Sequence, residues 1–150
     1  MKNKYRFFDL YCIDITRCKW SDIFDECFPY DDEIIKPDLI QFNFPWDFGS
    51  GQTSEIMNGF LKFAQENIAP KGIVKLGIVD WDSPYYSSYG DEIDKLIDGK
   101  NDKFELIEPI ANFYQKYPGY THVSSDPSKN LHWHIQDFGI EITFRLKRQK

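Results

Sequence analysis

The sequence predicts an α+β fold: a single compact domain over residues 1–150, with a mixed sheet of about six strands, three to four helices and a β-rich C-terminal third. Three observations predict it. Short segments rich in β-branched and aromatic residues are typical of strands. Between them, apolar residues recur at i, i+3, i+4 and i+7, which is one face of a helix. Hydrophobic residues make up 41% of the chain, enough to form a core in one domain of this length.

The first half of the chain alternates predicted strands and helices. Residues 5–15 are apolar on both faces and predict a central strand that is covered on both sides. Residues 20–28 have the spacing of a short amphipathic helix with an acidic polar face. Residues 39–44 and 73–79 then predict two strands, joined by a helix over residues 53–67.

The second half predicts two helices and then three strands. Residues 91–98 and 107–117 carry helical apolar spacing, and Pro118 and Gly119 end the second segment. The strands are expected at residues 120–124, 131–135 and 140–146.

The apolar residues occupy odd-numbered positions in the predicted strand 131–135 and even-numbered positions in the predicted strand 140–146. The alternation therefore changes between residues 136 and 139. That change requires a β-bulge or a tight hairpin, and Gly139 suits either one.

Charge is unevenly distributed along the chain. The net charge is −6, and acidic residues are concentrated between Asp9 and Glu33 and again between Asp80 and Asp98. Clustered lysine and arginine, which nucleic-acid binding requires, are confined to the last few residues. The sequence therefore predicts neither a nucleic-acid partner nor a membrane partner, and favours a basic protein partner.

Aromatic residues lie among the acidic residues between Asp80 and Asp98, and this combination suggests a contact surface. Tyrosine and tryptophan on a loop beside carboxylates provide rigid anchors and charge complementarity for a cationic partner. The alternative is that these rings fold back onto the core. The predicted partner-binding residues are Asp80, Trp81, Asp82, Tyr85, Tyr86 and Tyr89, followed by a second group of Asp31, Asp32 and Glu33.

Size, acidity and the lack of catalytic motifs lead to one functional expectation. No nucleophile elbow and no phosphate-binding loop of Walker spacing occurs, so we expect neither catalytic residues nor a cofactor. We expect a small protein-binding module, a bacterial immunity or antitoxin-type inhibitor that neutralises a basic toxin domain such as a nuclease. Toxins that bind phosphates carry a basic cleft, which an acidic inhibitor complements.

The three histidines provide an alternative of a different class. His132 and His134 on one strand would lie on the same face, about 7 Å apart. With His122, Asp137 or Glu141 as a third ligand, they would hold Zn or Mn in a metal-dependent hydrolase or a metal-binding domain. The simpler interpretation is a half-exposed strand whose polar face happens to carry two histidines.

Cysteine usage and hydropathy predict a cytoplasmic location. The three cysteines show no C-x-x-C spacing, and two aspartates interrupt the first apolar run, so we expect a strand there and not a leader. No apolar run reaches the ~18 residues of a membrane span. The oligomeric state is left open.

Overall fold

The computed structural model of the chain describes residues 17, 19–27, 33–45, 53–82, 88–122 and 132–148. Within them the chain forms five helices and five strands, which confirms the α+β class with one strand fewer than the expected six. The elements are α1 (Trp20–Cys27), β1 (Leu39–Asn43), α2 (Thr53–Asn67), β2 (Ile73–Val79), α3 (Asp91–Ile97), β3 (Phe104–Leu106), β4 (Ala111–Asn112), α4 (Phe113–Lys116), α5 (His132–Phe138) and β5 (Gly139–Leu146).

The sheet is mixed, with β2 and β5 at its centre. Its order is β1-β2-β5-β3, and β4 pairs with β5 beyond the end of β3. Strands β1 and β2 are parallel, which requires the crossover that α2 provides. Strand β5 is antiparallel to β2, β3 and β4, with Leu76 opposite Ile142 at its centre.

One face of the sheet packs against α2 and α3 and forms the main core. Every second residue of β2 and β5 points to this face, so their apolar side chains meet the apolar stripe of α2. Each such large side chain, once buried, stabilises the fold by about 1.5–3 kcal/mol. The members with least exposure include Met57, Phe60, Val74, Leu76, Ile93, Leu96, Ile142 and Phe144.

Helix α1 extends the core beyond β1. Trp20, Ile23 and Phe24 pack with Phe63 of α2, which follows from their i, i+3, i+4 spacing. The indole Nε1 of Trp20 donates a 2.8 Å hydrogen bond to the carbonyl of Ile35 and so fixes the segment that leads into β1.

The opposite face of the sheet is polar over its centre. It carries the alternate residues of the central strands, including Lys75 on β2 and Glu141 and Thr143 on β5. The segment from Ile107 to Tyr120 contains β4, which pairs with β5 along its edge, and α4, whose Phe113 lies over Gly77 on this face. Hydrogen bonds from Thr143 and Lys116 to Glu108, and from Lys116 to Glu141, hold it there.

The prediction of a helix over residues 107–117 is wrong for most of that range. Residues 111–112 are strand β4, and the helix α4 spans only Phe113–Lys116. The Asn112 side chain accepts a 3.0 Å hydrogen bond from the backbone N–H of Gln115, so it caps the helix at its start. Pro109 also disfavours helical backbone at the residue before it. The secondary structure of residues 111–112 is therefore determined by their pairing with β5, which the spacing of apolar residues does not reveal.

The prediction of a strand at residues 131–135 is also wrong. Residues 132–138 form α5, and β5 follows directly at Gly139. Ile135 and Phe138, three residues apart, pack into one aromatic cluster. The change of parity at residues 136–139 is therefore a helix-to-strand junction, and neither the β-bulge nor the hairpin occurs there.

Two further predicted strands lie wholly or partly outside the described residues. Residues 120–122 belong to no strand, and the remaining two residues of the predicted strand 120–124 lie outside the described residues, as does all of the predicted strand 5–15. Among the residues described, no helix has the length and apolar character needed to cross a membrane.

Candidate functional site

Asp80, Trp81 and Asp82 continue directly from the carboxyl end of β2. The backbone N–H of Asp80 donates to the carbonyl of Phe138 at 2.8 Å, which fixes this end of the strand to the end of α5. The N–H of Asp82 lies 3.4 Å from Oδ1 of Asp80, a weak turn-forming contact. Trp81 is 47% exposed and Asp82 is exposed, while Asp80 is half-buried. An exposed indole thus lies between two carboxylates at a turn that a backbone hydrogen bond joins to α5.

Tyr89 anchors the far end of the loop that follows. Its side chain is 5% exposed, and its hydroxyl accepts from the N–H of Val79 at 3.0 Å and donates to the Val79 carbonyl at 3.1 Å. The ring therefore belongs to the core, which is the alternative that the sequence left open for this loop. Tyr85 and Tyr86 lie outside the described residues.

The first turn of α3 adds acidic groups at the same end of the sheet. Helix α3 begins two residues after Tyr89, and its first turn contains Asp91, Glu92 and Asp94. Glu92 forms a 3.1 Å ion pair with Lys95. Asp91 and Asp94 are exposed, and the hydrogen bonds of Tyr89 to Val79 place this helix start at the same end of β2 as Asp80 and Asp82.

A cluster of mostly aromatic side chains packs against this end of the sheet. Phe44, Val79, Phe113 and Ile135 are buried together, and Tyr117, Tyr120 and Phe138 pack around them. The Phe44 and Phe113 rings meet edge to face, with centroids 4.8 Å apart. The space bounded by Phe44, Pro45, Ile78, Val79 and Tyr89 has no room for a water molecule. This cluster was not predicted, because its members come from four separate segments of the chain.

The second group of predicted partner-binding residues, Asp31, Asp32 and Glu33, is not seen next to Asp80. Glu33 is exposed, and Asp31 and Asp32 lie outside the described residues. The chain that follows Glu33 runs at the opposite end of β2 from Asp80, since the Pro37 carbonyl accepts from the N–H of Ala69 and the Asp38 carbonyl from that of Ile73. Seven strand residues separate the two ends by about 23 Å.

A patch of exposed aliphatic side chains lies at this opposite end and was not predicted. Leu39 and Ile73 are neighbours in the parallel ladder, and both are exposed. Ile34 and Ile35, in the segment that leads into β1, are about half exposed.

The histidine alternative loses the geometry on which it was based. His132 and His134 lie in helix α5, so the strand spacing that would have placed them on one face does not apply. His122 Nδ1 lies 3.1 Å from the Tyr120 hydroxyl, with its ring against Phe44. Within the described part of the chain, no three His, Cys, Asp or Glu side chains form a cluster that could hold a metal ion. The Zn or Mn hypothesis stays an untested prediction.

A network of ionised groups on the polar face of the sheet was also not anticipated. Lys116 Nζ donates to Glu108 and, at 2.7 Å, to Oε1 of Glu141, whose side chain is fully buried. Thr143 Oγ1 donates to Glu108 at 2.9 Å. The sequence suggested Glu141 only as a candidate third metal ligand, because Lys116, its ion-pair partner, is distant from it in sequence.

The ionised groups in this network shift one another's pKa values. Burial lowers the pKa of Lys116, but its hydrogen bonds to Glu108 and Glu141 outweigh that effect, so the pKa lies above its usual value. The same hydrogen bond from Lys116, together with that from Thr143, holds the pKa of Glu108 below its usual value. Lys116 therefore stays charged and links two carboxylates that would otherwise repel each other.

Comparisons of the chain with protein-family models, with curated proteins and with solved structures found no match in any of the three.

Proposed function

We propose that this protein is a small cytoplasmic protein-binding module, an immunity or antitoxin-type inhibitor that neutralises a basic toxin domain such as a nuclease. The observation that carries the proposal is the exposed Trp81 indole between Asp80 and Asp82. Aromatic anchors beside carboxylates are typical of the centres of protein interfaces.

The support beneath this surface favours binding over catalysis. The backbone of Asp80 is bonded to Phe138, and the loop returns to β2 through the two hydrogen bonds of Tyr89. Backbone hydrogen bonds of this kind reduce the conformational entropy that a contact surface loses when a partner binds.

The charge of the surface indicates the class of partner. Asp80, Asp82 and the first turn of α3 bring several carboxylates to one end of the sheet. Such a surface attracts a basic protein and repels nucleic acid, so it suits the cationic cleft of a toxin that binds phosphates. A basic cleft covered in this way can no longer bind its own substrate.

The test is capture of the partner from cells that express the chain together with its neighbouring genes. We expect mass spectrometry to identify one basic protein that co-purifies with the wild type. Trp81→Ala should weaken the isolated complex by tenfold or more, the effect of about 1.4 kcal/mol or more at an interface anchor.

A matched aromatic control separates contact from folding. Tyr117→Ala removes a half-buried aromatic side chain that packs beside the cluster and is not one of the surface residues Asp80, Trp81 and Asp82. It should lower stability and leave the affinity of the folded protein unchanged. Equal affinity of the wild type and Trp81→Ala, or capture of acidic proteins only, would contradict the proposal.

A further inference from the structure

The face of the sheet opposite the main core is exposed near the start of β2. Leu39 on β1 is opposite Ile73 on β2, and the register of β2 with β5, continued by one residue, places Arg145 beside Ile73. Their neighbours Val74 and Phe144 are buried in the main core, so this row of side chains points to the other face. All three side chains of the row are exposed to solvent.

Basic side chains collect on the same part of this face. Lys75 follows Ile73 by two residues along β2, and Lys147 follows Arg145 by two residues at the end of β5, so each shares the face of its neighbour. The N–H of Lys147 donates to the carbonyl of Lys103 at 2.8 Å, which extends the pairing of β3 with β5. Lys103 and Lys147 are both exposed. Four residues therefore form what we call the basic sheet face: Lys75, Lys103, Arg145 and Lys147.

The basic sheet face has an excess of positive charge, although the whole chain has a net charge of −6. Arg145 is paired with a carboxylate of β3 at 2.9 Å, and Lys75 interacts with Glu108. In the part of the chain that the structure describes, Lys103 and Lys147 form no ion pair. Four basic groups therefore face two carboxylates, and the fold has brought two lysines from distant segments to the basic C-terminal strand.

The apolar residues on this face distinguish between classes of acidic partner. Leu39 and Ile73 provide aliphatic contact area beside the basic groups. Single-stranded nucleic acids bind to sheet faces by stacking their bases on aromatic side chains, and none of the described strand residues on this part of the face is aromatic. Aliphatic and basic side chains together favour a partner that has both apolar and acidic side chains, which is a protein.

We propose that the basic sheet face binds an acidic protein segment, whose carboxylates pair with the lysines and whose apolar side chains contact Leu39 and Ile73. Complementary charge steers such a segment to the face, and burial of the aliphatic side chains holds it there. The face lies at the opposite end of β2 from Asp80. This acidic partner is therefore separate from the basic partner proposed for the Asp80 surface, and each can bind without the other.

The test uses a fluorescein-labelled peptide of repeated Glu-Glu-Leu units, titrated with the full chain at low salt and followed by fluorescence anisotropy. We expect saturable binding that Lys103→Glu with Lys147→Glu weakens by about tenfold or more. The control is Lys19→Glu with Lys62→Glu, which reverses two exposed lysines on the helical side of the sheet and changes the net charge equally. Equal weakening by both pairs, or no binding of the peptide to the wild type, would overturn the proposal.

A second set of probes separates a protein segment from other polyanions. Leu39→Ser with Ile73→Ser should weaken binding of the leucine-containing peptide by about threefold or more, and should leave the binding of oligoglutamate unchanged. An unchanged affinity for the leucine-containing peptide would contradict the apolar contact and overturn the proposal. Tighter binding of oligothymidine or of phosphatidylserine vesicles than of the peptide would show that the partner is a nucleic acid or a membrane, and would overturn it as well.

Discussion

At the scale of single residues, Tyr89 shows how one hydroxyl can replace a strand partner. At the end of β2, the N–H and the carbonyl of Val79 both bond to the Tyr89 hydroxyl. Its ring fills the core at the same time, so one side chain both closes the loop and satisfies two buried backbone groups.

We therefore expect Tyr89→Phe to destabilise the fold by about 1–3 kcal/mol, because it leaves two buried backbone groups without a partner. The measurement is the free energy of unfolding in urea. Tyr117→Phe is the control, since the Tyr117 hydroxyl makes no hydrogen bond in the described structure. Equal stability of the two variants would show that the Tyr89 hydroxyl contributes nothing.

Glu108 leads to a prediction for acid pH. Its pKa is lower in the folded protein than in the unfolded chain, because Lys116 and Thr143 donate to it. The unfolded state therefore takes up the proton first. This stabilising contribution is complete above the unfolded carboxyl pKa of about 4.3 and is lost as pH falls through the lower folded value.

We expect Glu108→Gln to be less stable than the wild type at neutral pH and to lose less stability between about pH 5 and pH 3. Urea unfolding at a series of pH values measures both effects. Glu66→Gln, which removes an exposed carboxylate from α2, is the control. Parallel pH profiles of the wild type and Glu108→Gln would contradict the prediction.

At the scale of secondary-structure elements, the junction between α5 and β5 is the position where sequence and structure differ most. Alternation over residues 131–135 indicates a strand, yet the helix is formed because it places Ile135 and Phe138 in the aromatic cluster. Burial of two large side chains outweighs a weak local preference for β-structure.

Gly139 makes this junction possible. A Cβ at this position would lie 2.5 Å from the carbonyl oxygen of Ile135 and 3.3 Å from Phe113 Cβ. We expect Gly139→Ala to destabilise the fold by about 1–3 kcal/mol, since the backbone of α5 must move away from β5.

The control for this element is Gly119→Ala, where an added Cβ meets nothing within 4 Å. It should change the free energy of unfolding by less than about 0.5 kcal/mol or raise it slightly. Thermal unfolding of both variants measures the difference. A Gly139→Ala variant as stable as the wild type would mean that α5 does not pack closely on β5.

At the scale of the whole molecule, the net charge of −6 should appear in the rate of association. Opposite charges raise the association rate of two proteins, and salt screens that effect. With the captured basic partner, we expect association to be slowed by tenfold or more between low and high salt.

Charge reversal at the proposed surface should reduce both the rate and its salt dependence. We expect Asp80→Lys with Asp82→Lys to slow association at low salt and to flatten its decline with ionic strength. The control reverses Glu66 and Asp38, two exposed residues at the opposite end of β2 from Asp80, and changes the net charge equally. Stopped-flow measurements that show the same effect for both pairs would mean that overall charge steers the partner and that the Asp80 surface does not.

The sequence by itself determined the α+β class, helices α1, α2 and α3 and strands β1 and β2, because each has a strong apolar period that its own residues supply. Asp80, Trp81 and Asp82 could be located in the same way, as polar residues that follow a buried strand. Only the tertiary structure decided the form of residues 104–116 and 132–138, the core position of Tyr89 and the ion-pair network of Glu141. In each case a partner distant in sequence supplies the deciding contact: β5 for β4, Val79 for Tyr89, and Lys116 for Glu141.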